Sequence, residues 1–140
     1  MLDINYVSAH LLIQEALPYL KKQPGSSIVL MGSYGAYDLP TIIGHYAITK
    51  TMLVAMTKIL AKELQDDEIR VNCVCPGLIK TKFSHSLWSH GEKEAAEGMG
   101  VKRLGVPEDI ANVVKFLVSS DASYMTGESV VAAGRAVARL

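Results

Sequence analysis

Three short apolar runs, separated by longer segments with helical periodicity, constrain the fold of this chain more than any other feature. The runs are SSIVLMGS, IRVNCVCPG and ESVVAAG. Continuous apolar runs of this length are typical of strands buried on both faces, and intervening helices are typical of βα units. The sequence therefore predicts an α/β fold, in which a parallel sheet carries helices on both of its faces.

Three helices are predicted around these strands, over about residues 2–22, residues 45–64 and the segment that begins at Pro107. Pro18 is expected to bend the last turn of the first helix. The second helix carries one apolar face, formed by Leu53, Met56, Leu60 and Leu64. Three parallel strands make a thin sheet, and the chain begins inside a helix, so we expect about half of a larger architecture.

Residues 78–105, between the second strand and the last helix, are polar and only weakly periodic. Such a profile is typical of a mobile excursion over a binding site rather than of a core element.

Charge and hydropathy limit the classes of function that this chain can have. Fourteen basic residues balance fourteen acidic residues, whereas recognition of nucleic acid or anionic lipid usually requires a basic surface. No stretch approaches the roughly 20 apolar residues that span a bilayer, and the N-terminus lacks the features of a secretory signal. We therefore expect no nucleic-acid partner, no membrane partner and a reducing compartment.

Cys73 and Cys75, the only cysteines, lie two residues apart on a predicted strand and point to the same face. This placement lacks the usual geometry for a disulfide, so we interpret both as small buried hydrophobic residues. No cysteine or carboxylate stands at ligand spacing from His85 and His90, and the sequence predicts no metal site.

Tyr46 and Lys50, in HYAITK, lie four residues apart and therefore share one face of the second predicted helix. A nearby ammonium favours the phenolate form of a tyrosine, which makes the phenol usable as a general acid or base. Alone, this spacing is weak evidence. Ser33 strengthens it, because it lies at the C-terminal end of SSIVLMGS, where open α/β sheets bind their ligands.

The spacing of Ser33, Tyr46 and Lys50, together with NCVCPGLIKT and YMTGESVVAAG, resembles the classical short-chain dehydrogenase/reductase family. The resemblance covers nearly the whole chain and implies the C-terminal half of a doubly wound, Rossmann-like sheet. It further implies that residues 1–140 are the C-terminal catalytic portion of a single domain.

The resemblance implies hydride transfer between a nicotinamide and a carbonyl carbon, with Tyr46 as general acid or base. Ser33 would orient the carbonyl oxygen and Lys50 would hold the nicotinamide ribose. Asn5 would complete the catalytic set by holding a water in a proton relay.

The remaining contacts implied by the resemblance come from the segment that follows IRVNCVCPG. Gly77, Ile79 and Thr81 would bind the cofactor together with Tyr46 and Lys50. The backbone near Ile79 and the Thr81 side chain would contact the nicotinamide carboxamide. A flexible lid, formed by FSHSLWSH with Trp88 against the substrate, would cover a small apolar carbonyl or alcohol.

Several stretches are similar to the peroxisomal carbonyl and retinal reductases of this family: IRVNC, PGLIKT, SHSLW, RLGVPED and DASYMTGE. This similarity implies NADP(H) rather than NAD(H) as cofactor, and ketones, diketones or retinal as substrates. Ala138, Arg139 and Leu140 would then form the C-terminal signal that a peroxisomal import receptor binds, with a cytoplasmic location as the alternative.

The family begins with a Gly-rich turn that binds the cofactor pyrophosphate at a helix N-terminus, and no such turn precedes residue 25. We expect this N-terminal part to be absent, SSIVLMGS to present an unpaired apolar edge, and the chain alone to bind NADPH weakly or not at all.

Two interpretations follow from this expectation. The chain is either the catalytic part of a carbonyl reductase or an inactive short chain that associates with full-length relatives. In both, the helices that contain Asn5 and Tyr46 resemble the helices of the family's main dimer interface, which implies a homo-oligomer.

Overall fold

The computed structural model describes residues 1–135, in which three parallel strands form one sheet. The strands β1 (Ser27–Met31), β2 (Arg70–Pro76) and β3 (Ser129–Ala132) are hydrogen-bonded in the order β1-β2-β3. Ser27 of β1 pairs with Arg70, and Cys73 of β2 pairs with Ser129. The predicted α/β class with a parallel sheet is confirmed.

Helices connect the strands and cover the sheet on both faces. A π-helical turn, Asp3–Val7, leads into α1 (Ser8–Leu20), which continues through Pro18. The other long helices are α3 (Gly44–Glu63) and α5 (Pro107–Val118). These helices and the three strands all lie within a few residues of their predicted bounds.

Short helices occupy the segments that were expected to be irregular. They are α2 (Gly35–Asp38), α4 (Glu92–Gly98) and the 3-10 turns Thr41–Ile43, His85–Leu87 and Ser120–Ala122. The prediction that residues 78–105 lack core contacts is wrong in part, because Ala96 and Leu104 are buried. Ala96 is the one buried residue of α4. The sequence EKEAAEG therefore has almost no apolar periodicity from which a helix could be predicted.

Strand β2 is the centre of the hydrophobic core. Val71, Cys73 and Cys75 are fully buried among apolar residues of α1, of α3 and of the position that follows α3: Ile13, Leu53, Met56, Leu60 and Leu64. Val74 points to the opposite face and packs with Ile110 and Leu117 of α5. Alternate residues of β2 therefore supply two separate cores, and the prediction of buried, hydrophobic cysteines is confirmed.

Asn72 is the polar exception in the middle of this strand. It is completely buried, yet its side-chain amide donates to the Met125 carbonyl (2.8 Å) and its oxygen accepts from the Glu128 amide (3.1 Å). A buried polar side chain is tolerated when such partners are present. Asn72 thus fixes the turn that leads into β3.

Gly32, directly after β1, faces the two thiols of β2. A Cβ atom at this position would lie 2.7 Å from the Cys75 Sγ and 2.8 Å from the Cys73 Sγ. The two sulfur atoms are themselves 3.7 Å apart. The absence of a side chain at residue 32 therefore allows the thiols to fill the space below the end of β1.

No helix within residues 1–135 is long and apolar enough to cross a lipid bilayer. No cluster of three or more His, Cys, Asp and Glu side chains in the same range could hold a metal ion.

The N-terminus of α5 carries an ion pair whose contribution to stability depends on pH. The Asp109 carboxylate accepts two hydrogen bonds from Arg103 (2.7 and 2.9 Å) and one from the Val106 amide (2.9 Å). These bonds, first of all those from Arg103, lower the pKa of Asp109 to about 2. An unfolded aspartate titrates near pH 4, so the pair stabilises the fold above about pH 4 and loses this effect as the pH falls towards 2.

We expect Asp109→Asn to lower the free energy of unfolding at neutral pH, because asparagine carries no charge for Arg103. Urea denaturation of both proteins across pH should show a constant difference above about pH 4 and a shrinking one between about pH 4 and 2. A difference that stays constant down to pH 2 would contradict the assignment.

Gly32→Ser is expected to destabilise the protein by about 1 to 3 kcal/mol, because its Cβ overlaps both thiols. The same substitution combined with Cys75→Ala should cost less than the sum of the two single changes, since removing one sulfur makes room. Gly98→Ser is the control, because a Cβ at residue 98 meets no atom within 4 Å. Equal losses for Gly32→Ser and Gly98→Ser would refute the steric explanation.

Candidate active site

Ser33 lies above the carboxyl end of the sheet, where the ladder between β1 and β2 continues beyond the last residue of β1. The Gly32 amide donates to the Val74 carbonyl and the Tyr34 amide to the Pro76 carbonyl, both at 2.8 Å. The Ser33 Oγ accepts a hydrogen bond from the Gly35 amide at the start of α2 (3.1 Å). One lone pair of this hydroxyl is thereby used, and its hydrogen can be donated to a ligand.

Lys50 connects α3 to the end of β1. Its ammonium donates to the Met31 carbonyl (2.8 Å) and lies 5.7 Å from the centre of the Tyr46 ring. Burial lowers the pKa of Lys50, and the nearby thiols of Cys73 and Cys75 act in the opposite direction. The structure therefore brings Tyr46 and Lys50 together beside the strand end that carries Ser33.

Asn5 reaches the same helix through a residue that the sequence analysis did not single out. The Asn5 amide donates to the Thr49 Oγ1 (3.0 Å), and that hydroxyl donates to the Tyr46 carbonyl (2.7 Å). Asn5 lies in the π-helical turn Asp3–Val7, a geometry that is frequent at functional sites. Thr49 follows Tyr46 by three residues, and this helical spacing is the signal that could have identified it.

The segment after β2 begins with a close backbone contact at Gly77. The Gly77 amide donates to the Ala132 carbonyl (3.1 Å), and a Cβ at residue 77 would lie 2.8 Å from the Ala133 Cβ. Two residues later, Ile79 forms a parallel bridge with Gly105. The chain between Gly77 and Thr81 is therefore held on both sides by backbone contacts.

Ser84 organises the loop that follows. Its Oγ lies within hydrogen-bonding distance of the Ile79 carbonyl, of the Thr81 amide and hydroxyl (3.2 and 3.0 Å), and of the Trp88 indole nitrogen (3.2 Å). Ser84 is 7% exposed. Ser84 was not among the predicted site residues, although its position three residues after Thr81 is typical of a hydroxyl that bonds to a local turn.

The aromatic residues of the predicted lid have different positions. Phe83 is 81% exposed, and its ring centre lies 6.0 Å from that of Tyr46. Trp88 is half-buried, and its ring lies edge-on to His85 with centres 4.9 Å apart. Within the predicted lid, Phe83 is thus the aromatic residue beside the Tyr46 ring, while the Trp88 indole is hydrogen-bonded to Ser84.

A cavity of about 640 Å³ lies at the carboxyl ends of β2 and β3. Gly77 and Ile79 line it, together with residues 131–134. Its remaining wall includes Lys102, Arg103 and Arg135. The predicted cofactor-binding segment therefore borders an open space rather than packed core.

The donor groups at this end of the sheet suit a nicotinamide riboside. An ammonium has three N–H bonds, and with one on the Met31 carbonyl, Lys50 keeps two for ribose hydroxyls. Thr81 offers a hydroxyl that can bond a carboxamide. Ala138, Arg139 and Leu140, predicted as an import signal, lie outside the described residues.

Comparison with known proteins gives consistent relatives. The family described as enoyl-(acyl carrier protein) reductase matches residues 1–134. Dehydrogenase/reductase SDR family member 4 of Oryctolagus cuniculus is 45% identical over 142 residues, which cover 100% of this chain and 55% of that protein. The chain thus spans about half the length of the curated relatives that it matches.

Solved structures also resemble this chain. A short-chain dehydrogenase/reductase from Brucella melitensis has a TM-score of 0.90 at 38% identity, covering 97% of this chain and 54% of that protein. L-sorbose reductase from Gluconobacter frateurii, solved with NADPH and L-sorbose, has a TM-score of 0.91 at 28% identity, with coverage of 99% and 57%. With its strand-end serine and its Tyr-Lys pair on one helix, this chain belongs to the short-chain dehydrogenase/reductase family.

Proposed function

We propose that this chain provides the proton-transfer and nicotinamide-binding residues for the NADP(H)-dependent reduction of ketones, diketones or retinal. The observation that carries the proposal is the position of Lys50, whose ammonium contacts both the Met31 carbonyl and the face of Tyr46. One cation therefore links the strand end that carries Ser33 to the phenol. Relatives that are enzymes of this family support this function over that of an inactive chain.

The phenol of Tyr46 is the proton donor to the carbonyl oxygen. When bound, the reduced nicotinamide supplies the hydride to the carbonyl carbon. Ser33 donates its hydroxyl hydrogen to the same oxygen, while the Gly35 amide occupies one lone pair of that hydroxyl. The Lys50 ammonium stabilises the phenolate that remains after proton transfer. Asn5, joined to α3 through Thr49, holds the water that returns a proton to this site.

The cofactor is held by the segment after β2 and by α3. The backbone after Gly77 and near Ile79, with the Thr81 hydroxyl, binds the carboxamide, while Tyr46 and Lys50 bind the ribose. Trp88 and its neighbour Phe83 cover an apolar substrate, and the exposed Phe83 ring beside Tyr46 supports this placement. NADP(H) rather than NAD(H) is the cofactor in this proposal, and its support is the NADPH named for related structures.

Location and assembly form part of the same proposal. The C-terminal tripeptide ARL directs the protein to the peroxisome through its import receptor. Two copies associate through the helices that contain Asn5 and Tyr46. Large apolar side chains exposed on these helices support the association: Ile4, Leu11, Leu12, Ile48 and Ile59.

We further propose that the described residues are the catalytic portion of a larger domain. The chain spans about half the length of its relatives. Among residues 1–135, β1 pairs only with β2, so its other edge carries no strand. In this proposal, a Gly-rich part that is not among these residues binds the adenosine half of the cofactor.

Tyr46→Phe should reduce kcat for a test diketone by about 10²- to 10⁴-fold, because phenylalanine cannot donate the proton. The measurement is the rate at which NADPH absorbance falls. It compares the protein purified from its natural source with substituted proteins of that same length. Tyr124→Phe is the control, since Tyr124 is fully exposed. Comparable rates for Tyr46→Phe and Tyr124→Phe would rule out Tyr46 as the acid.

The 140-residue chain alone should bind NADPH and reduced nicotinamide mononucleotide with similar affinity, in about the millimolar range, because it grips only the nicotinamide half. Calorimetric titration tests this, and mass spectrometry of the natural protein should give about twice 15.2 kDa. Low-micromolar binding of NADPH by the 140-residue chain would overturn the half-domain proposal while leaving the role of Tyr46 untouched.

A further inference from the structure

The Ser84 hydroxyl is shared between the cofactor-binding segment and the lid. On one side it contacts Ile79 and Thr81, and on the other it contacts the indole of Trp88. Ser84 is 7% exposed, so water has little access to replace these partners. The loss of this hydroxyl would leave several polar groups unpaired at once.

The Ser84 hydroxyl has more hydrogen-bonding neighbours than it can bond at one time. A serine hydroxyl has one hydrogen and two lone pairs. The hydrogen is donated to the Ile79 carbonyl, and the lone pairs accept from the Thr81 amide and from the Trp88 indole. A third neighbour, the Thr81 hydroxyl 3.0 Å away, can donate to Ser84 only when the Thr81 amide or the indole gives up its lone pair.

The partners of Ser84 also determine where the hydrogen of the Thr81 hydroxyl can point. Its oxygen accepts from the Ser84 backbone amide (3.3 Å). While the Thr81 amide and the Trp88 indole occupy the lone pairs of Ser84, the Thr81 hydrogen is available to an acceptor outside the loop. A carboxamide oxygen is such an acceptor.

We propose that Ser84 is a positioning residue that directs the Thr81 hydroxyl hydrogen towards the nicotinamide carboxamide and holds Trp88 in the lid. The carboxamide part rests on the proposed function, whereas the Trp88 part does not. The two roles are coupled through one oxygen atom. When the indole leaves Ser84, a lone pair becomes vacant, the Thr81 hydroxyl turns inwards, and the grip on the carboxamide weakens as the lid opens.

Trp88 is the only tryptophan of the chain, so its fluorescence reports this loop alone. Ser84→Ala removes the acceptor of the indole N–H, and Ser86→Ala, at an exposed position two residues later, is the matched control. In the unliganded 140-residue chain, Ser84→Ala should shift the equilibrium between held and released indole by about fivefold, seen as stronger acrylamide quenching. Equal quenching in the two variants would overturn the Trp88 role, whether or not the chain binds a cofactor.

The carboxamide role is tested with reduced nicotinamide mononucleotide, which lacks the adenosine half. Ser84→Ala and Thr81→Val should each raise its dissociation constant about 5- to 10-fold, and the double variant should bind no more weakly than Thr81→Val. Ser86→Ala should bind as the wild type does. Additive effects of the two substitutions, or no effect of Ser84→Ala, would overturn this role, as would a wild-type chain without measurable binding.

Thermal unfolding of each variant separates positioning from general loss of structure. Ser84→Ala should still unfold cooperatively and retain its helical circular dichroism. A variant that lost both the fold and the ligand would show a structural role for Ser84 and would overturn the proposal.

Discussion

Burial of β2 on both of its faces is the constraint on which the rest of the structure depends. A strand between two helical layers has no side chain that can point to water, so its residues must be small, apolar or fully hydrogen-bonded. Val71, Cys73 and Cys75 satisfy the first layer and Val74 the second, while Asn72 has its amide and its oxygen both bonded. Both neighbouring strands and the segment after Pro76 take their positions from this strand.

The site is built by backbone amides that occupy the lone pairs of hydroxyl groups. The Gly35 amide bonds to the Ser33 hydroxyl, and the Ser84 amide bonds to the Thr81 hydroxyl. In each case, a backbone amide occupies one lone pair and leaves the hydrogen of the hydroxyl for another acceptor. At Thr81, the Ser84 hydroxyl is a second neighbour of this oxygen. Lys50 follows a related scheme, because one N–H is fixed on the Met31 carbonyl and the other two remain available.

The sequence predicted the parts of the molecule that have strong apolar patterns. The strands and the long helices follow from continuous or periodic burial. The spacing of Ser33, Tyr46 and Lys50 is weak evidence alone, and the family resemblance is what singles these residues out. Ser84 and Thr49 each stand three residues after a predicted site residue, but this spacing is a weak signal, because a serine in a polar loop or a threonine in a helix has many ordinary uses. The π-helical turn at Asn5 was also missed, since apolar periodicity does not distinguish its hydrogen-bond pattern from that of an α-helix.

The close contact between Gly32 and the two thiols also has an evolutionary consequence. A larger residue at position 32 costs less stability when a sulfur is lost at residue 73 or 75, and a lost sulfur leaves a void that a larger residue at 32 can fill. Either substitution alone gives a less stable protein, so we expect residues 32, 73 and 75 to be substituted together during evolution. Residues that are distant in the sequence thus form one steric unit, directly beneath the strand end that carries Ser33.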